Sequence, residues 1–286
     1  MSRNLLVRIA FAVPAIALTL LVLWLGGWLL AALLALAGVL GTREIYDFAR
    51  RQGITPIAWL GYGAAALIPF AVFWAKGSEE HWAEPAIFFG AVWLLAVLVA
   101  AMIERGPEGR PLEAVAVTVF GCLYASALLA FLVAIRHGAH SEAHPRASAE
   151  LVALPLVLTW ICDTCAMAAG TLIGGPKLAP VLSPNKTVAG AIAGTVGALV
   201  AAIAIGVPLF RRSGVQLDVW QLAALGLAVG LVAQVGDIAE SLFKREAGVK
   251  DSSLLIPGHG GVLDRLDSLY FVVPVTAGLL KLFGVT

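Results

Sequence analysis

Charge is what this sequence has least of. Acidic and basic residues fill 13% of its 286 positions, against 60% hydrophobic ones, where ordinary soluble domains carry about 25% charged residues. That shortage excludes a water-soluble globule and points to an integral membrane protein. The net charge of +1 offers no basic field, and no nucleic-acid partner is expected. Cysteine is scarce too. Cys122, Cys162 and Cys165 are the whole supply, so no disulfide framework is implied. Cys162-Asp163-Thr164-Cys165 has the spacing of redox and zinc motifs, but a lone pair inside an apolar span with no βαβ context reads as two small, lipid-compatible residues. Domain-scale linkers, low-complexity tracts and internal repeats are also missing. The missing repeat speaks against the paired-repeat architecture of ion-coupled transporters.

Long apolar runs are abundant instead. A crossing of about 30 Å of hydrocarbon takes roughly 20 residues of helix, and such stretches recur near 5–24, 26–41, 55–76, 85–103, 112–135, 151–173, 187–210, 217–237 and 269–285. The expected fold is all-α, a polytopic helical bundle of about nine transmembrane helices. Arg3 and Arg8 before the first run imitate a signal peptide, but Gly26-Gly27 leads directly into a second apolar segment without a convincing cleavage site, and a retained helical hairpin is expected. In chain order the expected parts are 1–54, an N-terminal hairpin with a basic cytoplasmic loop; 55–150, the middle transmembrane helices; and 151–286, a catalytic region with cytoplasmic loops. Gly190-x3-Gly194 and Gly226-x3-Gly230 have the spacing at which small residues let membrane helices approach closely. Arg136–Glu150, with His137, His140 and His144, reads as a solvated loop because its histidine spacing is irregular.

Basic residues orient the bundle. With the N-terminus in the cytoplasm and nine alternating crossings, only Lys76, Arg136, Arg146, Arg211, Arg212 and Lys281 of the 19 basic residues fall outside. Arg211-Arg212 is the discordant pair, while the acidic Glu79-Glu80 turn falls outside as the rule favours. The expectation is a multi-pass protein of the inner (plasma) membrane with its polar loops in the cytoplasm.

The polar side chains that do exist are concentrated from Gly236 to Ser268. This window holds Asp237, Glu240, Lys244, Arg245, Glu246, Lys250, Asp251, Asp264, Arg265 and Asp267, with the titratable His259. A charge within the hydrocarbon costs about 2.5–3.5 kcal/mol on insertion scales, so such a gathering points to a use. At helical spacing Asp237, Ser241, Lys244 and Arg245 share one face, and Asp264, Asp267 and Ser268 form a second stripe. Pro257-Gly258-His259-Gly260-Gly261 breaks the helix between them and lets backbone approach a ligand, with a new helix expected near Val262 or Leu263. Acid stripes, basic residues and a glycine loop suit a metal-chelated polyphosphate, because carboxylates hold Mg²⁺ while Lys and Arg neutralise phosphate oxygens. The competing reading is a solvated loop. Upstream, Asp163 is a carboxylate inside an apolar span and a functional candidate on that ground.

Both polar regions resemble the phosphatidate cytidylyltransferases (CDP-diacylglycerol synthases). The first carries the resemblance through Gly236-Asp237, Glu240-Ser241, Lys244-Arg245, Gly248-Val249-Lys250-Asp251-Ser252, Pro257-Gly258-His259-Gly260-Gly261 and Leu263-Asp264-Arg265-x-Asp267-Ser268. The second runs from Asp163-Thr164 to Lys177-Leu178-Ala179-Pro180 and Ser183-Pro184-x-Lys186-Thr187. It departs from the family pattern at Thr171, where Arg is common, and at Val188-Ala189, where Trp-Glu is frequent. These departures put a phosphate contact and one pocket wall in doubt.

The resemblance implies transfer of a cytidylyl group from CTP to phosphatidate, with Mg²⁺ as cofactor, a second metal or monovalent cation beside it, membrane lipid as surroundings and a homodimer as assembly. Asp237 and Asp264 are the expected metal ligands. Lys244, Arg245, Lys250 and Arg265 are expected on phosphates, with Asp251 and Asp267 as further ligands or as orienters of those cations. His259 either donates a hydrogen bond to leaving pyrophosphate or holds the turn. Asp163, Lys177, Ser183, Lys186, Thr187, Ser241, Gly260 and Gly261 are expected to bind substrate. Two other readings stay open: a different CTP-dependent lipid-modifying membrane enzyme of the polyprenol-kinase type, and an ion-coupled transporter.

Overall fold

The computed structural model describes residues 14, 16–75, 79–138, 141, 144–256, 258 and 260–285, with backbone alone for 79–83. Pro257 and His259 of the glycine loop lie outside the described residues, as do Arg3, Arg8, Lys76 and His140. Helices dominate the rest. They are α1 (Ile16–Leu25), α2 (Gly27–Arg51), α3 (Ala58–Trp74), α4 (Glu79–Glu104), α5 (Pro111–Cys122), α6 (Leu128–Arg136), α7 (Pro145–Leu172), α8 (Val188–Ser213), α9 (Val219–Glu246), α10 (Leu263–Leu266) and α11 (Leu269–Leu282). A single π turn, Leu123–Ala127, joins α5 to α6. Each of the nine apolar stretches overlaps a helix. Among the described residues, six segments are long and apolar enough to cross a membrane: Gly27–Arg51, Glu84–Glu104, Pro111–Arg136, Pro145–Leu172, Val188–Ser213 and Val219–Glu246. The molecule is a helical membrane protein. Glu79 and Glu80, expected in a turn, open α4.

By compactness the chain forms two units. The first comprises the described residues up to Val133 together with Glu246–Arg265; the second comprises Ala134–Arg245 and Leu266 onward. In the first unit, helices gather around Tyr46, which is fully buried. Its hydroxyl donates to the Thr118 carbonyl at 2.8 Å, and Thr118 Oγ1 accepts from Ile57 N at 2.8 Å. Gly61 of α3 and Gly121 of α5 lie so close to the ring that a Cβ at either position would overlap it. The π turn serves this packing by presenting Ser126, whose hydroxyl donates to the Ala65 carbonyl at 2.6 Å. A second apolar cluster joins Ile57 to Val97, Ala100 and Ala101.

In the second unit α7 lies along α8, and α8 along α9, through small residues. A Cβ on Gly190 would meet the Ala166 carbonyl, and one on Gly194 would meet Cys162. Gly226 and Gly230 of α9 stand equally close to Leu199 and Thr195 of α8. Both glycine pairs expected to pack helices do so. Cys162 belongs to this seam: it is buried, and its thiol donates to the Gly230 carbonyl at 3.7 Å. Between α7 and α8 the chain makes a short antiparallel hairpin, β1 (Lys177–Ala179) with β2 (Ser183–Thr187), in register Lys177 with Thr187 and Ala179 with Ser183. The hairpin is an addition to the all-α expectation. It ends on Thr187, whose Oγ1 accepts from Gly190 N at 3.1 Å and caps α8, satisfying one of the orphan donors of a helix start.

Candidate functional site

The second unit brings four of the expected site residues together: Asp163, Lys186, Asp237 and Asp267. Helix α9 continues past its apolar part to Glu246, so Asp237, Ser241, Lys244 and Arg245 do share a helix. Gly236 comes next to the turn after α10: a Cβ there would lie 2.6 Å from the Asp267 carbonyl oxygen and 3.0 Å from Ser268 Cα. Only a residue without a side chain allows that approach, and it sets Asp237 beside Asp267. From the hairpin, Lys186 Nζ reaches Asp237 Oδ2 at 2.6 Å. Asp163 of α7 completes the group, with Asp237 and Lys186 as its charged neighbours.

Three acids and few cations make this cluster electrostatically strained. Burial pushes the Asp267 carboxyl up to about 7, and the negative charges of Asp237 and Asp163 push the same way. The Ser268 backbone N–H, 2.6 Å from Asp267 Oδ1, and Lys244 pull it down only in part. Lys244 is itself tied to the buried Glu240 at 2.9 Å. Arg245 donates through Nε to the Leu182 carbonyl at 3.3 Å, joining α9 to the hairpin. Ser241 is buried, Ser183 half-buried, and Lys177 exposed on β1. Thr171 turns its hydroxyl back to the Met167 and Ala168 carbonyls, both at 2.9 Å.

The expected stripe of Asp264, Asp267 and Ser268 needs correction. Helix α10 stops at Leu266, so Asp267 and Ser268 occupy the turn before α11. The local bond from Ser268 N to the Asp267 side chain competes with a continuing helix. Asp264 belongs to the first unit and Asp237 to the second, so the two expected metal ligands fall in different units.

In the first unit Asp264 organises its own loop. Its Oδ2 accepts from Ser252 N at 2.7 Å, Ser252 Oγ at 2.7 Å and Gly261 N at 2.9 Å. Gly260 takes φ +80°, and Ile256 N donates to its carbonyl at 2.8 Å, closing the loop. Lys250, Asp251 and Arg265 are exposed. Sequence reasoning missed Glu44 of α2. It is 3% exposed, and its carboxylate accepts from Val262 N and Leu263 N at 3.0 and 2.8 Å and from Ser253 and Ser252 hydroxyls at 2.7 and 2.9 Å. No local signal marked it, because Glu44 stands among Arg43, Asp47, Arg50 and Arg51 at the polar end of α2, past the apolar stretch 26–41. Among the described residues no three His, Cys, Asp or Glu side chains form a ready metal cage.

The chain is 31% identical to a phosphatidate cytidylyltransferase of Synechocystis sp. over 94% of each chain. It is also 31% identical to one of Brucella suis over 80% of this chain and 87% of that one. A third, from Staphylococcus haemolyticus, is 41% identical over 124 residues, 43% of this chain and 46% of the other. The sequence model of the cytidylyltransferase family matches residues 6–283, nearly the whole length, and the chain belongs to that family.

Proposed function

We infer that this protein transfers the cytidylyl group of CTP to phosphatidate, giving CDP-diacylglycerol and pyrophosphate. The observation that carries the reading is the cluster of Asp163, Lys186, Asp237 and Asp267 in a membrane protein of this family. A phosphate oxygen of phosphatidate forms the new bond to the α-phosphorus of CTP, and the bond from that phosphorus to the bridging oxygen of pyrophosphate breaks. The nucleophile is already anionic near neutral pH, so the barrier is mainly the approach of one anion to another, and fixed charge does most to lower it.

Mg²⁺ fits the residues of the second unit. It is commonly held by one or two carboxylates plus substrate phosphates, without a full protein cage. The burial and neighbouring negative charge that raise Asp267, and the ammonium already drawn to Asp237, are the marks of acids that suit a cation. Asp237 and Asp267 would hold it together with substrate phosphates, with Asp163 as a neighbouring negative charge. When bound, it supplies charge neutralisation on the triphosphate and on leaving pyrophosphate. Lys186 and Lys177 present ammonium groups to phosphate oxygens from the hairpin; Lys250 and Arg265 are carried by the glycine loop of the first unit. Asp264 holds that loop in shape. A second cation, nine crossings with the active loops in the cytoplasm, residence in the inner membrane and a homodimeric assembly complete the proposal.

Purified protein incubated with labelled CTP, phosphatidate and Mg²⁺ tests it. Label appearing in CDP-diacylglycerol with release of pyrophosphate is the expected result. Phosphorylated lipid with release of CDP would instead identify a kinase.

A further inference from the structure

Glu44 and the glycine loop are more than 200 residues apart in sequence, yet the carboxylate takes four donors from that loop. Both oxygens are used: Oε1 by Val262 N and the Ser253 hydroxyl, Oε2 by Leu263 N and the Ser252 hydroxyl. All four donors are neutral, so the charge of Glu44 is spent on holding backbone and small side chains. Ser252 Oγ lies 2.9 Å from Glu44 Oε2 and 2.7 Å from Asp264 Oδ2. One hydroxyl carries one proton, so this group is shared between two carboxylates and ties them together. Gly261 has no room for a side chain beside Ser252 and Glu44.

We propose that Glu44 is a positioning residue for cytidylyl transfer: through Ser252, Ser253 and the Val262 and Leu263 amides, it fixes the loop that carries Lys250, Asp264 and Arg265. This rests on the function proposed above. Glu44 touches no reacting atom. A carboxylate is suited to the task because it only accepts, whereas an amide in its place turns one donor against two others. The hold is also geometric: four bonds of 2.7–3.0 Å leave the loop little freedom.

The test uses the purified full-length protein in detergent. Glu44→Gln should lower cytidylyl transfer by about 10²-fold, the scale of a small misplacement of catalytic groups. Amide exchange within 252–263 should rise at least about tenfold, the exchange of α7 and α8 staying at the wild-type rate. Glu44→Asp should recover part of both. Ser253→Ala, which removes one donor and keeps the carboxylate, should give smaller changes in the same direction. Combined with Glu44→Gln it should cost no more than Glu44→Gln alone, since both act through one contact. If Glu44→Gln fails to fold, the Ser253→Ala pair of measurements decides. Unchanged exchange in 252–263, or faster exchange with wild-type transfer, would overturn the proposal. A wild-type protein inactive on CTP and phosphatidate would sink the functional reading instead, and the exchange measurements would still judge the clamp.

Discussion

The two units treat their carboxylates in opposite ways. In the first, both oxygens of Glu44 and the Oδ2 of Asp264 accept from amide and hydroxyl donors. In the second, Asp163, Asp237 and Asp267 face one another with Lys186 and Lys244 as counter-charges, and Asp267 is pushed up to about 7. A carboxylate whose lone pairs are filled by neutral donors is a fastener. Acids left to repel each other keep an affinity for cations in reserve. Charge alone does not distinguish the two uses; the partners do.

Neutralising one acid on each side is the strongest way to break that contrast. Asp237→Asn should lower turnover by at least about 10²-fold, the order of losing one strong transition-state contact, and Asp264→Asn by about as much through misplacement of its loop. Only Asp264→Asn should also loosen its loop and lower stability, by about 1–3 kcal/mol for buried donors left without their acceptor. Turnover assays beside thermal unfolding in detergent separate the outcomes; equal loss of stability in both variants would erase the distinction.

Lys186 sharpens the second-unit side. Lys186→Ala should reduce turnover at subsaturating substrates by about tenfold, the scale of one charge-assisted contact. Arg should restore part of it and Gln none, since Arg keeps the charge with a different geometry. Full activity of the Gln variant would reduce the Lys186–Asp237 pair to a structural tie.

The raised Asp267 gives a pH test with a definite sign. Its folded pKa lies above the ordinary carboxylate value, so its contribution to stability is complete below about pH 4 and is lost as pH rises towards about 7. Metal-free protein should therefore unfold more easily at about pH 8 than at about pH 5, and Asp267→Asn should flatten that slope. Mg²⁺ affinity should run the other way, because protons compete for the same acid. Thermal scans with chelator or Mg²⁺ across this range read both. The smallest effect belongs to Thr187→Ala, which should cost about 1 kcal/mol through the lost helix cap, with Thr187→Ser retaining it; denaturation of the purified variants measures the difference.

Much of this was legible in the sequence, and the omissions have a physical pattern. Hydropathy located the helices, glycine spacing located the α7–α8–α9 seam, and 3.6-residue spacing set Asp237, Ser241, Lys244 and Arg245 on one helix. Those features depend on neighbours a few residues away. The hairpin was missed because Lys177–Ala179 and Ser183–Thr187 are too short and polar for strand periodicity to register. The Asp264–Ser268 stripe failed because a side chain's bond to the next amide ended the helix. Glu44 was overlooked because its meaning lies in partners 208 to 219 residues further on, and no local pattern reports those.

That separation also has a history in time. At an elongation rate of about 5–20 residues per second, the residues from Glu44 to Ser252 take roughly 10–40 s to make. Until then α2 holds an acid without the amides and hydroxyls that later surround it. The first unit thus waits for a late segment of the chain, and a ribosome that stalls anywhere between α3 and α9 leaves behind an N-terminal unit whose central acid has nothing to close on.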